Sequence, residues 1–279
     1  MRQLTIFDIE KKIVVSMATV LDLRISPFMP IDKVSSRSVI CKQFIENKNV
    51  IHRKTPYGSI AIRNRILTRL HKNIFDAIMI THIKSKPVND KEIALYFTLY
   101  RLAIFLKKSW SGKTAKELKN AISEIADTRI ERNDLNGNCY NYGIIKSFKY
   151  SEREDAFGIV LSSEYTDYFK SQVSLNYAER MDEILSIKGT GSALIKAIID
   201  FFISHNMSSK KKKIQQIRLD KLLDIINYPH KTNRQITSVK TYLSTFRNDL
   251  KNFNISYDKK IEVLKYEGTH GIIFNGILK

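Results

Sequence analysis

The stretch TNRQITSVKTYLSTFRNDLKNF, residues 232–253, gathers its hydrogen-bonding side chains on one side of a helical repeat. Ile236, Val239, Leu243, Phe246, Leu250 and Phe253 recur at steps of three and four, the spacing of one buried helix face. Opposite them stand Arg234, Thr237, Ser238, Thr241, Ser244, Thr245 and Asn248, flanked by Lys240, Arg247 and Lys251, with Asp249 the single acid. Hydroxyls and amides exchange hydrogen bonds with base edges, and cationic side chains hold phosphate. The chemistry that suits this face is non-covalent recognition of DNA.

Residues for covalent chemistry are not grouped in the same way. His52, His71, His82, His205, His230 and His270 contain no His-x-His pair beside a tyrosine, which a rolling-circle nickase requires. The glycines of YEGTHGIIFNG lack the lysine of a phosphate-cradling loop, and SIKGTGSALIK reads as a linker before a helix. Glu152, Glu154 and Asp155 read as a solvated hairpin tip. His205, closing FISHN, reads as a cap or structural group with no second metal ligand beside it. The expectation is a protein that is not an enzyme and uses no cofactor or metal.

Charge agrees with a polyanionic partner. The chain has 279 residues, with 47 Lys plus Arg against 28 Asp plus Glu, a net +19 and a pI near 9.8. Such a field draws nucleic acid or an acidic membrane surface. Residues 186–279 hold 17 basic residues against 7 acids, so one third of the chain carries about half of the excess. No segment reaches the roughly 18 apolar residues of a spanning helix, so no membrane partner is expected. Cys41 and Cys139 have no zinc-ligand spacing, and the start carries no signal peptide, which together indicate reduced thiols in the cytoplasm.

Two sets of elements must position these groups. Residues 1–55 read as an N-terminal extension, partly helical over 6–23. RNRILTRLHKNIFDAIMITH then predicts a helix, EIALYF a strand, TLYRLAIFLKK a short helix and KTAKELKNAISEIADT a longer one. NYGIIKSFKYS and DAFGIVLSS predict a hairpin. SALIKAIIDFFISHN, IQQI and RLDKLLDIINYP repeat that order, followed by 232–253 as one helix and a closing hairpin turning at 268–271.

Helix–turn–helix followed by a β-hairpin is the winged-helix arrangement, whose second helix enters the major groove. The expected fold is therefore α+β: two tandem winged-helix domains, each a helical bundle with a hairpin wing, plus the extension. The expected domains are 1–55, 56–186 for assembly or a secondary DNA contact, and 187–279 as the main DNA-binding domain. DNA-binding residues are expected on 232–253 and in the basic loop Lys210, Lys211, Lys212 and Lys213. Secondary contacts are expected from Lys113, Lys116, Lys119 and Asn120, weakened by Glu117, Glu124 and Asp127 on the same helix.

The tandem order resembles the iteron-binding plasmid replication initiators, and within them the TrfA-like branch. The resemblance spans residues 63–253, with RSV at 37–39 as a fainter match. It rests on ALYFTLYRLAIFLKKSWSGKTAKELKNAISEIADTRIE, on YGIIKSFKY with FGIVLSSEYTDYF, and on SALIKAIIDFFISHN with IRLDKLLDII. It implies a protein that binds repeated sites in duplex DNA at a plasmid origin, helps open the duplex and recruits the host replicative helicase. A host initiator as partner, and a homodimer or monomer–dimer equilibrium, belong to the same expectation. The Lys210–213 run departs from the branch. A winged-helix transcriptional regulator is the alternative, and an RNA-binding or DNA-processing enzyme a third reading.

Overall fold

The computed structural model describes residues 18–151, 156–172, 174–205, 214–229, 232–267 and 273–274. It begins with β1 (Ala18–Thr19) and α1 (Val20–Arg24). The Thr19 hydroxyl accepts from the Asp22 amide at 2.9 Å, starting the helix where the chain turns inward. After α2 (Val39–Glu46), β2 (Val50–Thr55) and β3 (Gly58–Arg63) form a hairpin. The boundary expected at residue 55 cuts this hairpin at its turn. Leu23, Ile25 and Met29, within the supposed extension, are core residues.

The helices, the EIALYF strand and the closing hairpin of the first winged-helix unit follow as the periodicities predict, whereas its strand at residues 84–87 was not foreseen. It comprises α3 (Arg69–Thr81), β4 (Lys84–Pro87), β5 (Ile93–Thr98), α4 (Leu99–Phe105) and α5 (Gly112–Asp127). Next come β6 (Arg129–Asn133), β7 (Cys139–Tyr142), β8 (Ile145–Ser151) and β9 (Ala156–Leu161). The β8–β9 wing joins a four-stranded sheet in the order β4-β5-β9-β8. A second sheet, β2-β3-β6-β7, was not foreseen as a sheet. It depends on Gly58, since a Cβ there would lie 2.2 Å from the Asn133 carbonyl oxygen on the neighbouring strand.

The connection runs through α6 (Ser163–Ser171), β10 (Ser174–Asn176) and α7 (Met181–Ser186). The second unit is α8 (Ser192–Ile203), β11 (Ile214–Arg218), α9 (Leu219–Ile225), α10 (Asn233–Thr245), α11 (Arg247–Asn252), β12 (Ile255–Asp258) and β13 (Val263–Glu267). Its sheet order, β11-β13-β12, repeats β5-β9-β8 of the first unit. The closing hairpin differs from expectation. β13 pairs with β12 across a turn at 259–262 and with β11 on its other side, so neither edge is left for a later strand. β14 (Ile273–Phe274) pairs instead with β10, whose other edge holds β1.

The two units share one core, and buried polar groups fix how they meet. Arg69 on α3 forms an ion pair with Asp200 on α8, and their side chains are 3% and 6% exposed. Arg53 on β2 donates to the Ser26 carbonyl at 2.6 Å and to the Ile225 carbonyl at 2.8 Å. Arg132 on β6 donates to the Ile25 carbonyl at 2.9 Å and to Asp22 at 3.0 Å. The segment around residues 22–26 is thus held between the units by arginines that satisfy its backbone. Burial, with Arg132 nearby, lowers the Arg53 guanidinium to about 9.

Breaking the buried pair from one side should be costly. Asp200→Asn, which leaves Arg69 buried without its counter-charge, is expected to destabilise the chain by about 3–5 kcal/mol. Arg69→Met with Asp200→Leu should recover most of that loss in thermal melts. Equal melting of wild type and Asp200→Asn would show that the pair does not hold the units.

His205 supplies a pH dependence. Its Nε2 lies 3.0 Å from the Tyr57 hydroxyl, and its Nδ1 lies 2.8 Å from the Phe201 carbonyl, joining α8 to the β2–β3 turn. Burial lowers its pKa from 6.5 to about 4, with Arg24 adding to the shift and the Phe201 carbonyl opposing it. Between those values the unfolded chain binds a proton that the folded one refuses. The contribution is therefore complete above about pH 6.5 and is lost as pH falls through that window. A melting midpoint measured from pH 8 to pH 4 should fall below about 6.5, and His205→Gln should flatten this part of the profile.

Candidate nucleic-acid interface

The face that opened the sequence reading is built on α10 and α11. Thr232 caps α10, its side chain accepting from the Gln235 amide at 3.3 Å while the Gln235 side chain accepts from the Thr232 amide at 3.1 Å. Val239, Leu243, Phe246, Leu250 and Phe253 are buried, and Ile236 is half-buried at the start of the stripe. The single expected helix is broken at Phe246, where φ is −95° and ψ is 25°. A stripe averaging about 3.4 residues per step falls behind a helix of about 3.6, so an unbroken helix would swing its end out of the core. The break resets the phase and keeps Phe246, Leu250 and Phe253 inward.

On the outer side Arg234, Thr237, Thr241, Ser244, Thr245, Arg247, Asn248 and Lys251 are exposed, with Ser238 and Lys240 partly so. The hydroxyls of Thr237, Ser238, Thr241 and Ser244 each donate to the carbonyl four residues back, at 2.9–3.0 Å. So oriented, they present lone pairs outward as acceptors, and a rotation about χ1 or the C–O bond turns each into a donor. Lys240 is engaged differently from expectation: its Nζ pairs with Glu262 in the wing turn. That contact, with the coulombic pull of the same carboxylate, raises the Lys240 pKa. Lys240 therefore ties the helix to the wing.

The wing turn itself was missed by the sequence reading. Lys259 and Lys260 are exposed there, preceding Ile261 and Glu262. YDKKIE between two apolar alternations was the available signal, hidden because 232–279 offered a later glycine-rich turn. Together α10, α11 and the wing enclose an open groove lined by Ser244, Arg247, Lys251, Tyr257 and Lys259 over Leu243. Lys210, Lys211, Lys212 and Lys213 lie outside the described residues.

In the first unit, Lys113, Lys116 and Asn120 on α5 are exposed, and Lys119 sits over the Tyr150 ring with Nζ 3.6 Å from its centroid. Two of the three acids expected to repel phosphate are turned to a cation of the same unit, and Glu124 is turned to the His71 imidazole. Glu117 meets Lys108 at 2.8 Å, Glu124 meets His71 at 2.6 Å, and Asp127 meets Arg65 at 2.7 Å.

His71 also draws Thr68 and Glu124 into the order hydroxyl, imidazole, carboxylate. The Thr68 amide donates to Nδ1 at 3.0 Å, and Nε2 contacts the carboxylate. Burial holds the imidazole pKa down against the pull of Glu124. Thr68 and His71 are themselves buried, at the first turn of α3, and they act there as a cap. Cys41 and Cys139 are free thiols, and no group of three potential metal ligands occurs among the described residues. No helix among them is long and apolar enough to cross a membrane.

No family model and no curated protein matches the chain. Solved structures do. The chain is similar to a selenomethionine crystal structure of domains 2 and 3 of RctB, at 9% identity and TM-score 0.50, over 76% of this chain and 86% of that one. A second structure of RctB domains 2–3 matches at 12% identity and TM-score 0.47, over 77% and 88%. The Pi initiator protein, solved in complex with iteron DNA, matches at 14% identity and TM-score 0.48, over 73% and 92%. At such identities the likeness is one of fold. The protein is an α+β chain of two tandem winged-helix units.

Phe246 is where the packing of the interface can be tested. It is 7% exposed at the helix break. Phe246→Ala should cost about 3–5 kcal/mol, read as a lowered thermal midpoint. An unchanged midpoint would mean that the break does not depend on that ring.

Proposed function

We propose that the protein is a sequence-specific duplex-DNA-binding protein that initiates plasmid replication at an origin of repeated sites. The observation that carries the reading is the α10–α11 face. Its apolar stripe is anchored in the core, while hydroxyls, an amide and cations stand outward beside a lysine-tipped wing. In this reading α10 lies in the major groove with Arg234, Thr237, Ser238 and Thr241 at base edges. Arg247, Lys251, Lys259 and Lys260 bind phosphate, and Lys113, Lys116 and Asn120 of α5 make a secondary contact. The second unit supplies most of the affinity because its reading helices carry one acid, Asp249.

The initiator role draws on the resemblance of residues 63–253 to the iteron-binding initiators, TrfA-like branch included. It brings that family's further expectations: duplex opening, contact with the host replicative helicase and host initiator, a homodimer or monomer–dimer equilibrium, a cytoplasmic location, and binding without catalysis or cofactor.

Base-reading and phosphate-holding residues should separate in competition binding between a site selected from random duplexes and random duplex itself. Arg234→Ala should cost about 1–3 kcal/mol on the selected site and little on random DNA. Arg247→Ala should weaken both alike and reduce the salt slope by about one. Equal loss on both duplexes for Arg234→Ala would remove it as a base reader, and no preference for any duplex would sink the DNA reading. A plasmid whose origin replicates only when this protein is supplied separates an initiator from a transcriptional regulator.

A further inference from the structure

The wing turn departs from local backbone and side-chain preference at two neighbouring residues. It joins β12 to β13 through residues 259–262, with Asp258 and Val263 paired across its base. Hairpin tips are ordinarily built from Gly, Asn, Asp, Ser and Pro, whose backbones suit the turn. Here Ile261 stands at the tip, 58% exposed. Isoleucine brings neither turn chemistry nor a polar atom to that place. Glu262, next to it, has φ 54°, a left-handed conformation that Gly and Asn adopt readily and glutamate does not. Departures of this kind persist only where the surroundings hold them, and they gather at functional sites.

Glu262 is held from two sides. Its carboxylate pairs with Lys240 on α10, and its carbonyl accepts from the Leu219 amide at the start of α9 at 2.9 Å. At the other end of the turn, Asp258 accepts from the Lys260 amide at 3.0 Å and faces Lys265 at 3.7 Å. Both acids of the turn thus meet cations, while the side chains of Lys259 and Lys260 stay exposed. The tip advances an isoleucine beside two lysines, in a position fixed relative to α10. In the DNA-binding reading, on which this inference rests, α10 fills the major groove and the wing tip passes the intervening phosphates to the neighbouring minor groove. Lys259 and Lys260 hold phosphate there. Ile261 gains nothing from phosphate and leaves water only against the apolar faces of stacked bases.

We propose that Ile261 is a wedge that enters the minor groove and partly unstacks one base step, bending the duplex toward the major groove that holds α10. The step lies about half a helical turn, roughly 5 base pairs, from the centre of the α10 contact. Pyrimidine–purine steps unstack most readily and are favoured there. Specificity then extends to a position that no donor or acceptor of the protein reads.

The full-length chain and a duplex selected from random sequence decide the matter. Dyes at the two ends of the duplex should move closer on binding, and 2-aminopurine placed at successive steps should brighten at one of them. Ile261→Asn, a residue suited to a turn, should abolish the brightening and reduce the bend, whereas Ile261→Leu should preserve both. Replacing a TA step by AA at the brightened position should weaken the wild-type complex by about tenfold and that of Ile261→Asn much less. Ile261 is exposed, so thermal melts should find both variants folded. The proposal is overturned if Ile261→Asn bends and brightens the duplex as the wild type does, or if the wild type brightens no step. Selective binding without brightening removes the wedge alone. Absence of any duplex binding by the wild type would sink the DNA reading and the wedge with it.

Discussion

The ion pair between Arg69 and Asp200 ties the first helix of one unit to the first helix of the other in a place from which water is excluded. Two charges in such a place are tolerated only in a narrow geometry, because each loses its hydration and depends on the other to offset the loss. The contact therefore acts on position more than on total stability. Around it the chain spends further arginines on the same seam. Arg53 holds carbonyls from residues 26 and 225, and Arg132 holds the α1 end and Asp22. Hydrophobic burial alone would let α3 and α8 slide, since apolar contact is non-directional. Directional donors remove that freedom, and with it the freedom of α5 and α10 to shift relative to one another.

The α10–α11 segment shows a compromise between core and surface. Its inner stripe sets a period slightly short of the helix, and the break at Phe246 absorbs the mismatch. Its outer side uses short hydroxyl side chains that stay close to the helix backbone. Four of them are already hydrogen-bonded to the backbone behind, so they are satisfied in the free protein and can exchange partners at small cost. Lys240 and Glu262 couple this helix to the wing, so the two surfaces that flank the groove are positioned together.

The two units share a strand order and diverge in side chains. Glu117 and Asp127 of α5 are paired with cations of their own unit and Glu124 with the His71 imidazole, whereas α10 and α11 carry a single acid between them. The brace helices diverge the other way, with acids outward in the second unit and apolar groups outward in the first. One architecture thus presents a polar, basic outer face on one long helix and a mixed-charge face on its counterpart.

The sequence by itself determined the elements and the inner faces: α3, α4, α5, α8, α9 and the stripe through Val239, Leu243 and Leu250 were all readable from periodicity. That signal is local, because a helix or strand must bury one face wherever it sits. It also exposed the charge asymmetry and the repeat of order. What only the tertiary structure decided was pairing between distant segments. β13 took β12 and β11 as neighbours and left β14 to β10, a choice set by which edges were free once the sheet had formed. Residues 18–31, without periodicity, became core because both units close over them. Glu117, Glu124 and Asp127 looked like a repulsive face until Lys108, His71 and Arg65 came to meet them, and Lys240 looked free until the wing brought Glu262. A charge's partner can lie anywhere along the chain, so the electrostatics of a surface belong to the fold.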